Sequence, residues 1–137
     1  MCVITKTLFG EDAANTEYYV IHENQDGKKV QIPIFEGLRQ VNREMFQVGQ
    51  SALNFLFPFC AKYNIGSSNR RLQRNVDALH RALKYLMRNS TDYESVYYQI
   101  KSEGKYNEEE LLHDLVAMLG AGFDTSARTA TGTLFQL

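Results

Sequence analysis

Tryptophan is absent from this sequence, proline and cysteine occur only twice each, and neither sign of charge dominates. Two cysteines, Cys2 and Cys60, give no disulfide framework and no metal-ligand spacing, a usage that suits a reducing compartment. Fifteen basic against 16 acidic residues leave a formal charge of -1, so nothing electrostatic favours nucleic acid as a partner. No stretch free of charged side chains is long and apolar enough to span a bilayer. Met1 is not followed by the basic flank and apolar run of a signal peptide or anchor. What is present is ordinary globular material: 137 residues, 44% hydrophobic, with eight tyrosines and eight phenylalanines. Composition predicts an intracellular, helix-rich chain with one modest core over residues 1–137.

Residues 1–14 read as the tail of an apolar helix closed by Gly10. Alternation at Tyr18–Val20–His22 and Val30–Ile32–Ile34, on either side of Asp26-Gly27, predicts a β-hairpin over 18–34. Pro33 limits the second strand to an edge or to its own end. Leu38, Val41, Met45, Val48, Ala52, Phe55 and Leu56 recur at helical steps, predicting an amphipathic helix over 35–57 that Pro58 stops or kinks. Asn64–Ser68 is a connector, with Ser68 or Asn69 able to cap a second amphipathic helix over 69–89. Its apolar face carries Leu72, Val76, Leu79, Leu83, Leu86 and Met87 against a basic remainder, expected to be solvated. Tyr93, Tyr97 and Tyr98 mark one more short helix within 92–105.

Asn107 followed three places later by Glu110 predicts a capping box, and Glu108–Glu110 suit the positive end of a helix. The helical pattern then runs over about 107–137, roughly 45 Å at the helical rise. No charged residue falls between Leu115 and Phe123, so that part is expected to be buried on all sides. A helix of that length and character implies a larger protein around it, and the chain reads as an internal fragment.

Within this helix lies Ala121-Gly122-Phe123-Asp124-Thr125-Ser126. Gly120 and Gly122 each cost about 1 kcal/mol relative to alanine in a helix interior, so a compensating gain is expected. Missing side chains let a flat or bulky ligand approach the backbone. Ala117, Gly120, Ala121, Asp124 and Arg128 share one face by helical spacing. Thr125, four residues after Ala121, can return its hydroxyl to the Ala121 carbonyl and bend the helix. A small-residue groove, a hydroxyl and a carboxyl group together describe a seat for a small ligand beside a proton path.

Ala121–Ser126 resembles the [AG]-G-x-[DE]-T-[TS] signature of the central helix of cytochromes P-450, the haem-thiolate monooxygenases, at every defined position. The order of elements is similar as well. Thr7-Leu8-Phe9-Gly10 looks like the end of that family's E helix, and Leu56-Phe57-Pro58-Phe59 resembles its turn after the F helix. The helix at 69–89, with its polar connector and acidic cap, is similar to the run from the G helix to the I helix. The hairpin at 18–34 departs from the usual E-to-F connection and reads as a lineage insertion or a loop.

The resemblance implies a mainly α, partial P-450 fold and an oxidoreductase using haem iron, dioxygen and reductase-supplied electrons on a small apolar substrate. It places Ala121 and Gly122 against the haem, Thr125 at the bound oxygen, and Asp124 on the proton path. Ala117 and Gly120 would border the substrate. Phe55–Cys60 would roof the access channel and, in membrane-bound members such as those of the endoplasmic reticulum, touch the bilayer. The family's Glu-x-x-Arg motif and cysteine-ligand loop do not occur here, and Cys60 has no Gly-x-Arg before it. The axial metal ligand is therefore expected outside this chain, which alone is expected not to hydroxylate anything.

Competing readings attach to the same residues. Ala121–Ser126 also suits small-residue packing in a non-enzymatic helical or protein-interaction domain. A dinucleotide loop at Gly120–Gly122 would need a preceding strand and a helix starting after the glycines, contrary to the pattern here. His22, His80 and His113 are scattered and read as surface or partly buried histidines, and Cys60 as a small buried hydrophobe.

Overall fold

The computed structural model describes residues 3–10, 18–90 and 92–136, with the side chains of 3–5, 123–128 and 130–136 outside that description. It is mainly helical, with one two-stranded antiparallel sheet. In chain order the elements are α1 (Val3–Phe9), β1 (Tyr19–Glu23), β2 (Lys29–Pro33), α2 (Ile34–Gly49), α3 (Ala52–Leu56), α4 (Phe59–Lys62), α5 (Ser67–Asn89), α6 (Val96–Ser102) and α7 (Glu108–Gln136). The chain divides into two compact units, one of residues 18–83 and the other of residues 1–17 with 84–137. Among the described residues no helix is long and apolar enough to cross a membrane.

In the unit of residues 18–83 the expected hairpin forms, with Val20 opposite Ile32 and His22 opposite Val30. Asp26-Gly27 supplies positive φ at Gly27 alone (φ 76), and the turn closes by Gly27 N–H donating to the Asn24 carbonyl at 2.9 Å. Pro33, which has no N–H, is the last residue of β2. The next residue closes the base of the hairpin, Ile34 N–H donating to the Tyr18 carbonyl at 2.9 Å.

The helix expected over 35–57 is broken. α2 stops at Gly49, and Ser51 caps α3 by accepting from the Asn54 N–H at 3.3 Å. Ile34, Gly37, Leu38, Val41 and Val48 are buried, whereas Met45, Phe55 and Leu56 from the same apolar pattern face solvent. A serine with an amide donor three residues on offers the backbone a fresh helix start, and that outcompetes continuous apolar periodicity. Pro58 then separates α3 from α4, as expected.

Helix α5 begins at Ser67, and Asn69 does not cap it. The Asn69 side chain is buried in a reciprocal amide pair with Asn54, both bonds 3.0 Å, and also donates to the carbonyls of Cys60 and Ile65. Asn54 in turn donates to the Val48 carbonyl at 2.7 Å. The two side-chain amides thus add second bonds to the Val48 and Cys60 carbonyls, which already accept from the Ser51 and Ile65 N–H groups, and supply a donor to the Ile65 carbonyl.

The other unit is apolar inside. α1 packs against α6 and α7, burying Leu8, Phe9, Leu86, Met87, Tyr97, Leu111, Leu112, Leu115 and Leu119. Phe9 and Tyr97 meet with ring centroids 6.1 Å apart. Gly10 ends α1 in the left-handed region at φ 92, its N–H donating to the Lys6 carbonyl. The expected cap at Gly10 is present, while residues 11–14 of the predicted segment lie outside the described residues. Ser90 Oγ donates to the Phe9 carbonyl at 2.6 Å, so the buried end of α1 is satisfied.

Candidate functional site

The long helix α7 starts where its cap residues dictate. Asn107 Oδ1 accepts from the N–H groups of Glu109 and Glu110 at 2.9 and 2.8 Å, while the Asn107 N–H donates to Glu110 Oε2 at 3.0 Å. The capping box is complete. Glu108 pairs with Arg88 at 3.2 Å and Glu109 faces Lys84 at 4.0 Å, so two cations of α5 that were expected to be solvated have acidic neighbours. These exposed pairs are weak, but they complement the helix dipole.

Downstream of the cap, α7 has two chemically different sides. Leu111, Leu112, Leu115 and Leu119 recur at three- and four-residue steps and are buried. On the other side Ala117, Met118 and Ala121 are exposed, with Gly120 and Gly122 half-buried between the two. The helix is therefore not buried all round between Leu115 and Phe123. The described residues supply apolar partners for the leucine side only, so an uncharged run ends up half covered.

The backbone remains helical through Gly120, Gly122 and the remainder of Ala121–Ser126, so neither glycine breaks the helix. The side chains of Asp124, Thr125 and Arg128 lie outside the described residues, and with them the expected Thr125 bond to the Ala121 carbonyl. The candidate residues Ala117, Gly120 and Ala121 share one face of α7, while Gly122 lies farther round the helix beyond the exposed Met118. On that face the missing side chain at Gly120 and the methyl groups of Ala117 and Ala121 leave the helix backbone approachable. Among the described residues no group of three or more histidine, cysteine or acidic side chains converges as a metal site. Cys60 is a free, buried thiol in the unit of residues 18–83, matching its reading as a small hydrophobe.

A second cluster was not foreseen from the sequence. In the unit of residues 18–83, Glu44 is only 7% exposed and faces three groups. Its Oε2 accepts from Asn75 Nδ2 at 3.0 Å, and its Oε1 lies 3.4 Å from Arg71 Nε and 3.8 Å from His22 Nε2. Arg71 Nε is buried without a hydrogen-bond partner, the close approach to Glu44 being an ion pair rather than a bond. His22 is 4% exposed, more deeply set than expected. At the rim Arg74 grips Glu23 with two bonds of 2.9 and 2.7 Å, which holds the Glu23 carboxyl below the usual carboxylate range. The available sequence signal was weak: Glu44 occupies an apolar-face position of α2, three residues after Val41 and four before Val48.

The chain matches no family model, no curated protein and no solved structure.

Proposed function

We propose that this chain carries the dioxygen-binding helix of a haem-thiolate monooxygenase of the cytochrome P-450 kind. The observation that carries the reading is Ala121–Ser126 itself, on an unbroken helix on which Ala117 and Ala121 are exposed. Haem, when bound, would supply the centre at which dioxygen is reduced with electrons from a reductase. Ala121 and Gly122 would lie against it, because neither carries a side chain that keeps a flat ring off the backbone. The Thr125 hydroxyl would hold a water by hydrogen bonding and hand on its proton. The Asp124 carboxyl would link that water to bulk solvent, so that protons arrive at the point where oxygen is reduced. Ala117 and Gly120, one turn earlier, would leave room for a small apolar substrate.

In the full-length parent, the exposed Phe55, Leu56, Phe57 and Phe59 would form the roof of the access channel and rest on a membrane surface. The cysteine thiolate would come from a segment beyond Leu137, so the 137 residues alone would not hydroxylate. A non-enzymatic reading keeps one observation in its favour, since exposed Ala117 and Ala121 also suit close packing of another helix.

The coding sequence beyond Leu137 tests the proposal directly. The oxygenase reading requires a Glu-x-x-Arg motif followed by a Phe-x-x-Gly-x-Arg-x-Cys-x-Gly loop, and their absence from the parent gene would sink it. In the parent protein, Thr125→Ala is expected to leave electron consumption running while product falls at least tenfold. Undiminished coupling of electrons to product would remove Thr125 from the proton path.

A further inference from the structure

The hairpin is held to its unit in an unusual way. Its outer strand gives it little: Lys29, Val30, Gln31 and Pro33 are exposed, and Ile32 is half-buried. On β1, Tyr19 and Ile21 are 45% and 60% exposed, leaving only Val20 and His22 directed inward. A two-stranded hairpin is marginal by itself and needs a face to pack on. Here Val20, His22 and the half-buried Ile32 provide that face, beside polar groups.

The centre of the polar hold is Asn75. Its Oδ1 accepts from the Glu23 N–H at 2.8 Å and its Nδ2 donates to the Glu23 carbonyl at 3.0 Å, the pattern that a neighbouring strand would make. The same Nδ2 donates to Glu44 on α2, so one amide ties β1, α2 and α5 together. Arg74, the preceding residue of α5, adds the two-bond grip on the Glu23 carboxylate. Beneath the strand Gly37 leaves no slack, because a Cβ there would overlap Val20 Cγ1.

We propose that the hairpin is a releasable strap, clamped to α2 and α5 through Asn75 and Arg74, which lifts as one element and uncovers the buried Glu44 while the helices stay folded. A small apolar face, with polar ties gathered at Asn75, Arg74 and the His22–Glu44 approach, is the condition under which a segment opens below the global unfolding free energy. What lifting exposes is the Glu44 carboxylate, flanked by Arg71 and Asn75. Acid acts in the same direction. With its carboxyl held low by Arg74, Glu23 contributes to seating above about pH 4.5, the value it would have unpaired. That contribution is lost as pH falls through the lowered value.

Backbone amide exchange on the 137-residue chain, read peptide by peptide, tests the strap with two variants that act by different chemistry. Asn75→Leu removes the bonds to Glu23 at nearly constant size, and Gly37→Ala drives a wedge under Val20. Each is expected to speed exchange across residues 19–33 about tenfold or more, with peptides from α6 and α7 unchanged. Glu44 should become open to carbodiimide labelling in both variants while remaining protected in the parent chain. Equal acceleration of the hairpin and all of α2 and α5 would overturn the proposal, since the hairpin would then not be a separate element. So would an unaltered hairpin in both variants, or a hairpin that already exchanges freely in the parent chain.

Discussion

The two units keep their interiors by different chemistry. In residues 1–17 and 84–137 the interior is leucine, phenylalanine, methionine and tyrosine, with Ser90 and Ser95 the buried polar residues among those described. In residues 18–83 the buried polar residues are His22, Glu44, Asn54, Asn69 and Asn75, five beside eight buried apolar ones among those described. An apolar interior tolerates imprecision, because burial is roughly proportional to area and has no direction. A polar interior does not, because each amide or carboxylate left without a partner costs a large part of its hydration. One unit should therefore lose stability in proportion to volume removed, and the other in proportion to bonds broken.

The largest expected effect is in the apolar unit. Leu115, 1% exposed, changed to alanine is expected to cost about 3 kcal/mol, measured as a fall in the denaturant midpoint of a signal from that unit. A loss below about 1 kcal/mol would mean that the leucine side of α7 is loosely packed. Next comes Asn69→Ala, which removes the amide partner of buried Asn54 and the donor to the Ile65 carbonyl and should cost about 2 kcal/mol. Combining it with Asn54→Ala should cost clearly less than the sum, because the two amides serve each other. Strict additivity would show that they act independently.

Asn107→Ala removes two capping bonds at the start of α7 and is expected to cost about 1 kcal/mol, seen as faster exchange confined to the first turn. The smallest effect belongs to Arg74→Ala. It should flatten the pH dependence of hairpin protection below about pH 4.5 and remove its sensitivity to salt, since the Glu23–Arg74 pair is exposed. An unchanged acid profile would assign that dependence to a different carboxylate.

What could be read in advance follows the same division. The hairpin, the basic amphipathic helix, the Gly10 cap and the Asn107–Glu110 box each follow from rules linking residues a few positions apart, and each is present. Helix α2 was overextended because Ala52, Phe55 and Leu56 continue its apolar rhythm, whereas Ser51 and Asn54 decide the break through one local bond and one distant amide. The Glu44 cluster joins residues about 20 to 50 positions apart, and no periodicity records such a meeting. At the candidate site, the shared face of Ala117, Gly120 and Ala121 was legible from helical spacing. Its openness was not, because exposure depends on which neighbours the chain itself provides.

The Asn75 side chain also bears on how molecules of this chain behave toward one another. An unpaired strand edge is a template on which a second chain can add a strand. On β2 the terminal Pro33 offers no N–H to an incoming strand. On β1 the outward N–H and carbonyl of Glu23 are already taken by an amide that belongs to a helix and cannot propagate a sheet. A clamp that seats the hairpin is thereby also a stopper against sheet growth. Variants that free the strap are expected to form strand-paired aggregates on standing at high concentration.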